Sequence, residues 1–345
     1  MIMILVHGFI AIIGLILLVK GSDFFVLSAA SIAKKFGISE FVIGLTLVAV
    51  GTSIPELVSS LIASIKHESD IVIGNIVGSN IANIGLIIGI ATALTLIRTR
   101  EEMLKRDGYI MLFAACLFYI FIIDGNLSRM EAVLFLISYA GYIGFLFIDK
   151  PKYKGRYGFK EFIATFFHFE LLKAHVNNRK RKQTDQREKI SLSLDMQFLK
   201  DVLILVISAG AIILGADYLV NEAIFFADLL HIPKMMVGLT LVAVGTSLPE
   251  LSVSISAARK GFGDIAVANI IGSNIANIFL ILGLSALLYP LSVEKSTIFY
   301  FGPFMIFLTL LLLIFIRSHW ELRRKEGMTF LFLYLIFIMF LFIKI

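Results

Sequence analysis

The chain has 345 residues, of which 59% are hydrophobic and 16% charged, with a formal net charge of +6. Soluble domains are nearer half apolar and a quarter charged. The excess falls in runs of about twenty residues, the length that crosses a bilayer as a helix, so a merely larger soluble core is excluded. The single cysteine, Cys116, lies in an apolar run, which excludes a disulfide framework or a thiolate metal site.

In chain order, ten apolar spans are predicted, over residues 3–30, 41–65, 71–97, 108–124, 130–148, 200–226, 235–258, 265–289, 297–316 and 328–344. The first lacks a basic leader and a small-residue cleavage site, and reads as a retained span. Between the fifth and sixth spans lies a long polar stretch, 149–197, carrying Arg179-Lys180-Arg181-Lys182. In a polytopic protein such a run serves topology and lipid headgroups before nucleic acid. Within it, 158–176 reads either as an amphipathic helix on the inner membrane surface or as a solvated connector. With the N-terminus outside, the inner segments hold 25 Lys and Arg against 5 outside, or 13 against 5 without the long loop. The positive-inside rule then places both termini outside and the central stretch in the cytoplasm of a multi-pass cell-membrane protein.

The second and seventh spans contain an internal repeat. Residues 44–89 and 238–283 align without a gap at an offset of 194, with 30 of 46 positions identical. The copies open GLTLVAVGTSIPEL and GLTLVAVGTSLPEL, and continue with NIVGSNIANI and NIIGSNIANI. The offset extends upstream, pairing Gly21 with Gly215 and Asp23 with Asp217. Repetition on this scale points to duplication. Five spans separate the copies, an odd number, so they enter the membrane in opposite directions, as in inverted-repeat transporters. The expected fold is all-α: ten transmembrane helices as two inverted five-helix repeats with broken helices at the core. The units run 1–148, 149–197 and 198–345.

The most similar positions are polar and intramembrane. A carboxylate in an apolar span costs roughly 2.5–3.5 kcal/mol on insertion scales, so Glu56 and Glu250 need a cation, a proton or a basic partner. Lys66, Arg259 and Lys260, at the span ends, are the only Lys or Arg residues in either block. Pro55 and Pro249 each free the carbonyl four residues earlier, tolerated at membrane depth where it lines a cavity. Ala49, Thr52, Ser53, Glu56 and Ser60 share one helical face, and Asn75, Ser79 and Asn83 share another, as do Asn269, Ser273 and Asn277. The set has oxygen donors and no His or Cys, which suits sodium and calcium over zinc or copper. Gly74 with Gly78, and Ala268 with Gly272, offer small surfaces for helix packing. The sequence holds no phosphate loop, EF-hand, HExxH or nucleophile elbow, so it reads as neither an enzyme nor an ATP-driven pump.

With GTS-x-PEL and GSNIxN each present twice, the chain resembles the sodium/calcium exchanger family of the calcium/cation antiporters, over nearly its whole length. The resemblance implies four clustered cation sites filled by sodium or by one calcium ion. It carries ligand roles onto Glu56, Glu250, Thr52, Ser53, Thr246, Ser247, Ser79, Ser273, Asn83 and Asn277, and carbonyl roles onto Ala49 and Ala243. It also implies that the first and sixth spans slide as a pair to switch access. The expected partners are Na+, Ca2+ and the lipid bilayer, with no cofactor, nucleic acid or obligate protein partner. A calcium/proton antiporter is the alternative function; a passive channel and a non-transporting scaffold fit less well. The family's potassium-dependent branch has an aspartate where this chain has Asn277, so exchange here is expected to need no potassium.

The orientation is testable by labelling. On a Cys116→Ala background, a cysteine placed near Asn126 should react with an impermeant thiol reagent on intact cells. One near Lys182 should react only after permeabilisation. The opposite pattern would overturn the assignment.

Overall fold

A computed structural model describes residues 2–35, 49–99, 101, 103–146, 196–259 and 261–343. The opening of the first repeat copy, 44–48, and most of the central stretch, including 158–176 and Arg179–Lys182, lie outside the described residues. The architecture is helical: α1 (Ile2–Lys35), α2 (Ala49–Thr52), α3 (Ile54–Ile65), α4 (Ser69–Leu94), α5 (103–121), α6 (Arg129–Leu146), α7 (Met196–Leu230), α8 (Lys234–Thr246), α9 (Leu248–Arg259), α10 (Gly263–Leu288), α11 (Thr297–His319) and α12 (Arg324–Ile343). Among the described residues, six helices are long and apolar enough to cross a membrane, or seven if the bent pair α8 and α9 is one span.

The sequence repeat has become a repeat of helix boundaries. Adding 194 to the bounds of α2, α3 and α4 gives those of α8's last turn (Ala243–Thr246), α9 and α10, and adding it to the start of α1 gives the start of α7. The same offset takes the strand β1 (Ile97–Arg98) onto β3 (Leu291–Ser292). Each strand pairs across the repeat, β1 with β4 (Glu321–Leu322) and β3 with β2 (Asn126–Leu127), both antiparallel.

The two copies of the repeat interlock. A Cβ on Gly89 would lie 2.9 Å from Leu331 of α12, and one on Gly283 would lie 2.9 Å from Leu136 of α6. Each half therefore buries its central helix partly against the other half's last helix. α4 and α10 form the core: 94% and 72% of their apolar windows are buried, against 17% for α1 and 28% for α7. A long apolar helix left largely unburied is suited to lipid, and the apolar windows of α1 and α7 fit that description. They cross where Gly14 meets Gly215; a Cβ on Gly215 would sit 2.6 Å from the Gly14 carbonyl.

The expected small-residue contact is present on α4. A Cβ on Gly74 would approach the Met235 carbonyl to 2.6 Å, and one on Gly78 the Leu239 carbonyl to 2.7 Å. Without side chains at these points, backbone approaches backbone and α8 lies directly on α4. That approach sets the depth at which the second repeat block enters the core. Since backbone cannot move aside as a flexible side chain can, Gly74→Ala should lower stability by about 1–3 kcal/mol, the range for overpacking. Gly8→Ala, where the added Cβ meets nothing within 4 Å, should not. Thermal melts of the two purified variants check this, and equal melting would refute the close crossing.

Candidate functional site

The proline predicted to interrupt each repeat span does so. α2 ends at Thr52 and α3 begins at Ile54, with Pro55 in its first turn. α8 ends at Thr246 and α9 begins at Leu248, with a bend of 47° between them. Proline fits the first turn because its missing N–H would be unpaired there anyway. The breaks fall at Ser53 and Ser247, so both serines and both glutamates sit where helices α3 and α9 begin. The positive end of the helix dipole lies there, which favours carboxylates.

The two copies meet and exchange partners. Ser53 Oγ donates to Glu250 Oε1 at 3.0 Å, and Ser247 Oγ donates to Glu56 Oε1 at 2.8 Å. The positions correspond at offset 194, so each copy's serine holds the other copy's glutamate. Such reciprocity is the pattern of a two-fold relation. Ser273 Oγ lies 3.4 Å from Glu250 Oε1 and 3.2 Å from Ser53 Oγ. Thr246 and Thr52 stand near enough to Glu56 and Glu250, respectively, to favour their charged forms.

The next layer is amide and carbonyl. Asn75 donates to Ser60 Oγ at 2.9 Å and to the Glu56 carbonyl at 3.4 Å, while its Oδ1 accepts from Thr246 at 3.2 Å. The Ala243 carbonyl accepts from Thr246 at 3.3 Å and from Ser79 at 3.5 Å. Ala49 is the first residue of α2, the matching place in the other copy. Asn83 donates to Asn274 at 2.9 Å and Asn277 donates to Asn80 at 3.0 Å, a second reciprocal exchange. Both Asn83 and Asn277 open a π-helical turn, a feature frequent at functional sites.

Burial makes the site unusual. Glu56 and Glu250 keep 1% and 0% of their exposure, and the charges of the two carboxylates repel each other. Among the described residues, neither glutamate has a basic partner: Lys66 reaches Asp217 at 2.5 Å and Lys234 reaches Glu68 at 2.7 Å. Among the described residues six buried side-chain oxygens have no hydrogen-bond partner; besides Thr99 Oγ1 and Ser285 Oγ they are Glu56 Oε2, Glu250 Oε2, Asn83 Oδ1 and Asn277 Oδ1. Leaving such acceptors bare costs about 1–3 kcal/mol each, more when charged, unless something positive faces them. Among the described residues no group of three or more His, Cys, Asp and Glu could hold a metal. Any cation here is met by two carboxylates plus neutral oxygens.

Helical spacing alone does not single out Asn80 and Asn274. Helical spacing selects Ser79 and Asn83 on one face of α4 and turns Asn80 away from it. The signal for Asn80 and Asn274 was their place inside the repeated GSNIAN. Tertiary packing brings these amides to the far side of Asn277 and Asn83.

The sodium/calcium exchanger protein family model matches residues 6–148 and 200–343. The sodium/calcium exchanger MaX1 of Methanosarcina acetivorans is 55% identical over 99% of both chains. The inner membrane protein YrbG of Escherichia coli is 34% identical over 81% of this chain and 79% of its own. A solved structure of the sodium-calcium exchanger NCX_Mj, soaked with 100 mM Na+ and 10 mM Sr2+, aligns with a TM-score of 0.59 at 30% identity, covering 96% of this chain and 97% of that one. With its twinned proline breaks and exchanged serine–glutamate contacts, the chain belongs to the sodium/calcium exchanger family.

Proposed function

We propose that the protein is a secondary-active antiporter that exchanges Na+ for Ca2+ by alternating access. The observation that carries this is the set of four donor-free oxygens on Glu56, Glu250, Asn83 and Asn277. All four belong to groups a hard cation prefers, and calcium takes six to eight oxygens. Thr52, Ser53, Ser79, Thr246, Ser247 and Ser273, with the Ala49 and Ala243 carbonyls, would complete the shells. The names of the relatives agree with this reading.

The mechanism follows from charge. Two ionised glutamates give the cavity −2. One calcium ion neutralises it, and sodium ions spread over neighbouring sites do the same, with surplus charge making the exchange electrogenic. Both cargoes need the same oxygens, so one load excludes the other. An empty −2 cavity is expensive to seal in low dielectric, which blocks unladen return and couples the fluxes.

The ten helical stretches of the described residues, counting each broken pair as one, are read as crossing the membrane as two inverted five-helix halves with both termini outside and the central stretch cytoplasmic. The reciprocal exchange of partners supports this, because a two-fold axis lying in the membrane plane reverses one half relative to the other. α1 and α7 move together over the rest, a reading supported by their close mutual crossing and low burial.

Calcium-45 uptake into sodium-loaded proteoliposomes tests the reading. Uptake should follow an outward sodium gradient; uptake that follows only a proton gradient would replace sodium by protons. Glu56→Gln or Glu250→Gln removes half the cavity charge and little volume, so either should abolish uptake in protein that still inserts and folds. Normal sodium-driven uptake by either variant would refute the site.

Ion selectivity gives a further prediction. An amide at position 277 attracts an extra monovalent cation less strongly than a carboxylate would. With membrane potential clamped, replacing external potassium by choline should leave calcium uptake unchanged, whereas severalfold potassium stimulation would refute this. Asn277→Asp should alter cation dependence; a variant indistinguishable from the parent would remove this side chain from the ion shell.

A further inference from the structure

We infer that Asn80 and Asn274 are positioning residues which, backed by Met305 and Met111, aim the amide oxygens of Asn277 and Asn83 at the bound cation. The inference rests on reading the site as the place where calcium binds.

An asparagine amide is nearly symmetric in shape but not in chemistry. Its oxygen accepts and its nitrogen donates two hydrogens. Turned the wrong way, Asn277 or Asn83 would present N–H groups to a cation and become a repulsive dipole instead of a ligand. The site therefore needs a device that distinguishes the two ends.

A thioether sulfur supplies it. Sulfur in methionine accepts weakly and has no hydrogen to donate, so the end of an amide that hydrogen-bonds to it must be the NH2. Asn80 Nδ2 lies 3.6 Å from Met305 Sδ. The Asn80 oxygen consequently points the other way, where Asn277 Nδ2 donates to it at 3.0 Å. With its nitrogen engaged, Asn277 turns Oδ1 to the opposite side, where no donor meets it.

The same chain recurs across the pseudo-symmetry. Asn274 Nδ2 lies 3.8 Å from Met111 Sδ and 3.4 Å from the Asn80 carbonyl, also an acceptor only. Asn274 Oδ1 accepts from Asn83 Nδ2 at 2.9 Å, and Asn83 Oδ1 is left without a donor. Met111 and Met305, Asn80 and Asn274, and Asn83 and Asn277 are each 194 residues apart. Each relay alternates between the halves, so the amide ligand of one half is oriented by an amide of the other.

Burial gives the relay its strength. Asn80, Asn274, Met111 and Met305 are each 1% exposed. Reversing one amide would set oxygen against oxygen or NH2 against NH2 with no water to compensate, which is costly in a low-dielectric interior.

The test uses the full-length protein in detergent and in proteoliposomes, with calcium chloride as the probe. The parent should show a calcium-dependent rise in melting temperature. Asn80→Ala and Asn274→Ala should lose most of that rise and increase the KM for calcium roughly ten- to a hundredfold, the range for partners of metal ligands, with Vmax changed far less. Met305→Leu keeps the volume and removes only the acceptor, and should raise the KM in the same direction by less. A purely structural role would lower melting temperature equally with and without calcium. The inference is overturned if the alanine variants, folded, keep the parental KM and calcium-dependent rise. If they do not fold, a parental KM in Met305→Leu overturns it instead. A parent with no calcium-dependent rise would overturn the exchange reading itself, and this inference with it.

Discussion

Two carboxylates buried beside each other, with no basic partner among the described residues, are the constraint on which the rest of the structure depends. Burying one charge in an apolar interior costs several kcal/mol even after relaxation, and a second of the same sign adds repulsion. The surroundings of Glu56 and Glu250 answer that cost without cancelling it. Each glutamate lies in the first turn of a helix and accepts from the other copy's serine. Each also keeps one oxygen bare. An arrangement tuned only for stability would have supplied a lysine or further donors; under the proposed function, a mobile cation supplies the final compensation.

The broken helices follow from the same requirement. A continuous helix uses its carbonyls and amides internally and offers an ion nothing but side chains. Breaking the helix at Ser53 and Ser247 opens a helix start beside each glutamate and aims two serine hydroxyls across the interface. The broken helices must then be shielded from lipid, because irregular backbone at membrane depth survives only inside protein. α4 and α10 provide the shield. Their glycine-bearing faces let α8 and α12 approach α4, and α6 approach α10. Close backbone packing and the candidate site are thus parts of one construction.

Duplication explains why this construction is economical. One copy of the repeat supplies one glutamate, one serine break and one amide, and each serine hydroxyl bonds the glutamate of the other copy. Two copies related by a two-fold satisfy each other, as the serine–glutamate and asparagine–asparagine exchanges do. The interlocking of α6 with α10 and α12 with α4 means that neither half completes its core alone.

Much of this was legible in the residues themselves. Apolar runs gave membrane helices, the repeat with its 194-residue offset gave the pseudo-symmetry, and Pro55 and Pro249 marked the breaks. Intramembrane glutamates without a nearby lysine pointed to a cation. These features are local or periodic, and a helix displays its spacing in one dimension. Tertiary structure alone decided which residue faces which across the two-fold: that Ser53 serves Glu250 and not Glu56, that Ala243's carbonyl gathers Thr246 and Ser79, and that Lys66 is taken by Asp217. It also decided the place of Asn80 and Asn274. The i, i+4 rule turned them away from the site, yet they lie directly behind Asn277 and Asn83 because their partners come from the opposite half. A contact between residues about 190 positions apart has no signature in local spacing; it exists only once the two copies have packed against each other.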